Sequence, residues 1–234
     1  MKSDIRLMAL DLETTSADPE EARIVSASIL FRGGGLPASD SDWLINPGIP
    51  IPPDATKVHG ITDEMAREGQ NPSDVLPLIA GDVEAASLLG VPVVIYNAVY
   101  DLTVIDRECR RHGGRLNLRP QMIGPGGPLM VIDPFVIDKA LDPYRMGSRK
   151  LVDVAANYGV KSEGAAHGAH ADALMACRLA VRLLRNLPAD TTLPMLHELQ
   201  VGWHANQAKS LEDYFTRQGK PERVPREWPI LPRA

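Results

Sequence analysis

The run LMALDLETT, residues 7–15, constrains the fold of this chain more than any other stretch. Its apolar side chains occupy successive positions. A strand tolerates that when both of its faces are covered, which calls for layers packed above and below a sheet. The same run ends on two carboxylates, Asp11 and Glu13, where charge is costly. Residues i and i+2 of a strand point the same way, so the two acids project side by side from its C-terminal end. Unpaired carboxylates that close raise one another's pKa unless a cation holds them, and a hard divalent ion is the natural partner. Taken alone, the pair reads equally well as a solvated strand end or a helix cap.

Further strands are expected at RIVSASILF (23–31), around Trp43–Ile45 after the Gly-rich FRGGGLPASD, at VPVVIYN (91–97), and in a run ending near Asp133. The first three follow one another through short connections, which implies an antiparallel start. Residues 48–73 read as a Pro-rich loop with one short helix. Helices are expected over Ser73–Leu89, Tyr100–His112, a short piece to Leu141, a helix in GSRKLVDVAANYGV with Ser148 as N-cap, His170–Leu187 and Pro194–Gln218. The pattern predicts an α/β fold, with a mixed five-stranded sheet flanked by helices over residues 1–187. A helical C-terminal extension follows over 188–234, ending in GKPERVPREWPILPRA, whose four prolines forbid regular helix.

Composition narrows the function classes. The formal net charge is −5, which argues against a long-footprint nucleic-acid binder but not against an enzyme that grips a few nucleotides. RECRRHGGRLNLR (107–119) is a local basic patch or, equally, a solvated helix end. No apolar run approaches membrane-spanning length and no secretory leader is visible, so a soluble, cytoplasmic chain is expected. Cys109 and Cys177 read as buried, reduced thiols. The GGG at 33–35 and GPGG at 124–127 lack a following Lys-Ser/Thr and are turns, not phosphate loops.

Other chemistry-bearing residues stand at element junctions. Asp101 follows a buried strand in the first turn of a helix, at the end where parallel strands open a cleft. Asp172 lies in the Ala-rich AAHGAHADALMACRLA, with His167 five residues before it. Five residues turn an ideal helix by about 140°, so His167 is expected on the loop entering that helix, reaching over a site to which Asp172 contributes. His170 is the rival histidine. Asp133 in VIDPF reads as an N-cap, and Asp4, Asp18, Asp106, Asp138 and Asp153 read as solvated surface acids. Trp228 in the tail has either its own domain or a partner to anchor on.

Asp11, Glu13, Asp101, His167 and Asp172, in this order and context, resemble the DEDDh family of 3′–5′ exonucleases. Within it they resemble the branch of the proofreading epsilon subunits of bacterial DNA polymerase III. ALDLETT carries the first motif, NAVYD (97–101) the second and HGAHAD (167–172) the third, while VHGIT (58–62) and RKLVDVAANYGV match accompanying segments. Tyr100 stands where Phe is commoner. The resemblance covers residues 7 to about 185 and implies an RNase H-like fold with two-metal phosphodiester hydrolysis. On this pattern Asp11, Glu13 and Asp172 hold one Mg²⁺, Asp11 bridges to a second that Asp101 binds directly or through water, and Mn²⁺ is able to substitute. His167 takes the proton from the attacking water. The terminal nucleotide meets Thr14, Thr15, His59 and Ile61, and Asn97 supports the second motif. The implied partners are single-stranded or frayed 3′ ends of DNA, and a DNA polymerase or replication protein. An RNA 3′–5′ exonuclease is the alternative substrate reading, and a catalytically silent nucleic-acid or polymerase-binding module the alternative of another class. The silent module is disfavoured because all five positions are filled.

Overall fold

The structure is a computed structural model that describes residues 5–114, 129–161 and 168–233. Its centre is a five-stranded sheet in the order β3-β2-β1-β4-β5, built from β1 (Leu7–Thr14), β2 (Ile24–Arg32), β3 (Ser39–Leu44), β4 (Val93–Val94) and β5 (Val131–Ile132). β2 is antiparallel to both β1 and β3, whereas β4 runs parallel to β1 and β5 parallel to β4. This is the expected mixed sheet. Three departures are local: β3 begins earlier than expected, at Ser39, β4 is only two residues long, and residues 48–73 carry two short helices rather than one.

The helices are α1 (Pro53–His59), α2 (Asp63–Arg67), α3 (Pro72–Leu88), α4 (Ala98–Arg111), α5 (Pro134–Leu141), α6 (Leu151–Asn157), α7 (Ala169–Arg185) and α8 (Leu193–Arg217). β1 is apolar over Leu7–Leu10 and again at Leu12 because it separates two cores. Met8, Leu10 and Leu12 pack with Val75 and Ile79 of α3 and Leu102 and Ile105 of α4. Leu7 and Ala9 pack with Ala173, Ala176, Ala180 and Leu183 of α7. Strand alternation therefore turns Asp11 and Glu13 to the α7 side. At Glu13/Thr14 the pairing with β2 slips: Glu13 faces Ser26 but Thr14 faces Ile24, a bulge at the rim of the site.

The C-terminal extension packs on this domain. α8 lies along the outer edge of β5, where His197 Nδ1 accepts from Val131 N–H (3.2 Å) and Gln200 Nε2 donates to Val131 O (2.8 Å), satisfying groups that an open edge would expose. Trp228 is buried in the same core as α3 and α4, so its anchor is its own domain. The tail then runs along α4: Leu231 N–H donates to Thr103 Oγ1 (3.0 Å), and Arg233 pairs with Asp106 (2.8 Å).

Three sequence readings need correction. α6 has Lys150 at its N-cap with no side-chain capping bond, and Ser148 Oγ instead accepts from Lys150 N–H (3.1 Å), one step short of the helix. Asp106 and Asp138 are buried, not solvated, because arginines pair with them: the adjacent Arg107 and the distant Arg233 for the first, Arg145 and Arg149 beyond the helix end for the second. In the described part of the basic patch Arg107 is buried and paired to Glu20 (2.6 Å), while Arg110 and Arg111 lie exposed at the helix end, Arg111 paired to Glu108 (3.1 Å). Cys109 and Cys177 are free and buried, as expected, and burial pushes their thiols up to about 12 and about 11.

Candidate active site

Three carboxylates converge where β1 ends and α7 begins. Ligand oxygens of Asp11, Glu13 and Asp172 lie within 4.8 Å of one another. Asp11 and Glu13 arrive by strand alternation, and Asp172 from the first turn of α7, whose N-cap Gly168 is extended. Burial, and after it the like charges of Asp101, Glu13 and Asp172, push the Asp11 carboxyl well above the usual range. Glu13, 9% exposed, is pushed up to about 7 by burial and then by Asp172. Among the described residues no lysine or arginine pairs with Asp11, Glu13 or Asp101. Hard oxygen donors under mutual repulsion fit a divalent cation.

Asp101 stands apart from this trio but within its field. It is 4% exposed on α4, and burial raises its pKa most, while its own N–H and that of Leu12 oppose the rise and the charges of Asp133 and Glu13 add to it. His167 lies outside the described residues. The rival His170 is turned to the sheet edge, its Nδ1 3.0 Å from both carboxylate oxygens of Asp42 and its Nε2 4.0 Å from Asp40.

The expected nucleotide-contacting residues divide into two groups. His59 closes α1 beside the site; its Nδ1 accepts from Ile61 N–H (3.0 Å), and its Nε2 is buried without a hydrogen-bond partner among the described residues. Burial lowers its pKa, with the Thr14 carbonyl opposing. Ile61 packs beside Val25, Ile51 and Ala66. The threonines are committed internally. Thr14 Oγ1 donates to Ser16 O (3.1 Å) and bonds the Tyr100 hydroxyl, while Thr15, 4% exposed, accepts from Arg23 N–H (3.0 Å) across the bulge. Tyr100 also donates to Ser16 O, and burial pushes its phenol up to about 12. This bridge from the first-motif turn to the second-motif helix escaped the sequence reading, although Tyr in place of Phe at position 100 was its one visible sign. Asn97 is the N-cap of α4, in a left-handed conformation (φ 66°, ψ 52°), and its side chain makes no capping bond.

Comparison with known proteins shows the family. Residues 8–180 match the family model described as exonuclease. The chain is 29% identical over 178 residues to an uncharacterized exonuclease of Escherichia phage 186, covering 75% of this chain and 84% of that protein. It is 30% identical over 176 residues to the DNA polymerase III subunit epsilon of Pasteurella multocida, covering 72% of this chain and 64% of the subunit. Among solved structures, E. coli exonuclease I in complex with a dA16 oligonucleotide is similar with a TM-score of 0.61 at 19% identity, over 89% of this chain and 45% of that one, a likeness of fold.

Proposed function

The chain belongs to the exonuclease family, matched over residues 8–180, and from that premise we propose that it is a divalent-metal-dependent 3′–5′ exonuclease that trims DNA to 5′-mononucleotides. The observation that carries the reading is the convergence of Asp11, Glu13 and Asp172, whose carboxylate oxygens lie within 4.8 Å of one another. These three residues would hold one ion. Asp11 would bridge to a second, which Asp101 holds directly or through water, with Mg²⁺ the expected metal and Mn²⁺ able to substitute. Bound ions of this kind polarise the phosphodiester and make water nucleophilic near neutral pH. His167 would take the proton from the attacking water, a task suited to imidazole. His59 and Ile61 receive the terminal nucleotide, with the unsatisfied Nε2–H of His59 as the donor that it meets. Thr14 and Thr15 shape the turn beneath it, their hydroxyls being engaged, and Asn97 sets the start of the second-motif helix.

DNA is preferred over RNA on the similarity to a polymerase III subunit and to an exonuclease solved with a deoxyoligonucleotide. The same similarity makes a DNA polymerase or another replication protein the expected partner. No helix among the described residues is long and apolar enough to cross a membrane. On the similarity to a polymerase III subunit we place the enzyme in the cytoplasm. The test is incubation with single-stranded, 3′-recessed and mismatched DNA and with matched RNA, in Mg²⁺ or in chelator. Shortening from the 3′ end in Mg²⁺ alone is expected. If nothing is shortened the enzyme reading fails, and if RNA is trimmed much faster than DNA the substrate is RNA.

A further inference from the structure

Asp133 is wholly buried between β5 and α5, and the proposed chemistry gives it no task. Its carboxylate receives backbone N–H groups from two helix starts at once. Oδ1 accepts from Phe135 (3.0 Å) and Val136 (3.4 Å), the local cap of α5. Oδ1 also accepts from Asn97 (2.9 Å), and Oδ2 from Ala98 (2.9 Å), at the start of α4. The tail adds Trp228 Nε1 at 3.4 Å from Oδ2, and Asp133 N–H donates to Gln200 Oε1 (2.7 Å). An anion between two helix N-termini suits their unsatisfied donors, and these bonds oppose the rise in pKa that burial imposes.

The start of α4 needs that support. Asn97 is the only non-glycine residue with positive φ among the described residues. Such a conformation persists where its surroundings over-determine it. Here the surroundings are Asp133, which holds the N–H of Asn97 and the N–H of the residue after it. Asp101 lies one turn further along the same helix, and its charge already reaches Asp11. We infer that Asp133 is a positioning residue for the metal site: by clamping Asn97 and Ala98 it fixes where α4 begins and how it is rotated, and so where the Asp101 carboxylate stands.

The inference rests on the proposed metal site, and its test separates the two. Mn²⁺ binding to the full chain is measured by electron paramagnetic resonance, beside kcat and KM on a DNA oligonucleotide. Asp133→Asn keeps one acceptor but turns an NH₂ toward donors. It is expected to weaken Mn²⁺ binding about ten- to a hundred-fold, the range for outer-shell partners of metal ligands, and to lower kcat at unchanged KM. Gln200→Leu removes a bond from Asp133 and β5 but leaves the carboxylate clamp, so it is expected to lower the melting temperature with Mn²⁺ affinity retained. Asn97→Gly placed in the Asp133→Asn background is expected to recover several-fold in affinity, because glycine takes φ 66° without a clamp. Should Asp133→Asn fail to fold, Asp133→Ser, too short to reach both Asn97 and Ala98, takes its place with the same expectations. Wild-type Mn²⁺ affinity in the Asp133 variant, equal weakening by Gln200→Leu, or no recovery with Asn97→Gly would each overturn the inference. A wild-type chain that binds no Mn²⁺ would instead overturn the metal site itself.

Discussion

Asp138 is a buried acid and Asp11 a half-buried one, and they keep opposite company. Asp138 is 0% exposed, and Arg145 grips both of its oxygens (2.7 and 2.5 Å) while Arg149 adds a third bond (2.7 Å). Asp11 faces Glu13 and Asp172 with Asp101 nearby, and burial and those charges drive its pKa up. A buried charge is tolerable when its counter-charge is built in, as at Asp138. Where it is not built in, the fold carries a standing repulsion that an incoming cation relieves. The contrast separates acids that hold the molecule together from acids kept for a ligand, although the two kinds look alike in one dimension.

The contrast breaks most sharply on Asp11→Asn. Removing one proposed metal ligand is expected to lower exonuclease turnover about 10³-fold or more, the scale of several kcal/mol of transition-state stabilisation. In chelator the same variant should melt above the wild type, since a repelling charge is gone; a lower melting temperature would mean that Asp11 is a structural acid. Asp138→Asn should do the reverse. Leaving two arginines with half a partner is expected to cost about 3–5 kcal/mol in denaturant unfolding, with turnover per folded molecule unchanged.

A pH series sharpens the point. Burial and Asp172 raise Glu13 from the usual 4.5 to about 7 in the folded chain, so the folded state holds its proton more tightly than the unfolded state does. That contribution is fully present below about pH 4.5 and is lost as pH rises through about 7. Thermal melts in chelator should therefore fall across this window, and saturating Mg²⁺ should flatten the slope at its upper end. A slope that Mg²⁺ leaves unchanged would count against a metal among these carboxylates. The smallest effect is expected from Tyr100→Phe, which removes the bonds to Thr14 and Ser16: about 1 kcal/mol of stability by denaturant titration, with catalysis retained.

Much of this was legible in the chain because local rules govern it. The order of strands and helices follows from apolar periodicity and punctuation, and the shared face of Asp11 and Glu13 follows from alternation alone. What escaped was decided by partners outside the element that carries the residue. Asp106 and Asp138 look like surface acids until Arg233 and Arg145 are brought to them, and nothing within a few residues of Asp106 announces a bond to the tail 127 residues later. Asp133 was half legible: its cap on Phe135 is local, whereas its hold on Asn97 and Ala98 depends on β4 and β5 lying side by side. Trp228 was undecidable for the same reason, since its place in the core depends on the path of the tail along α4.

The two-core placement of β1 also governs which changes in its genetic text the protein can absorb. Met8, Leu10 and Leu12 belong to one core, and Leu7 and Ala9 share the opposite face with Asp11 and Glu13. Any of these apolar letters can be exchanged for another of similar size at modest cost. Loss or gain of a single codon inside the strand is another matter, because it reverses the facing of everything on one side of the change. Both carboxylates would then turn toward α3 and α4 while leucines turned toward the cleft. β1 is thus free to drift in spelling and bound in length, and a shift of one residue would disarm the site while leaving every catalytic letter in the gene.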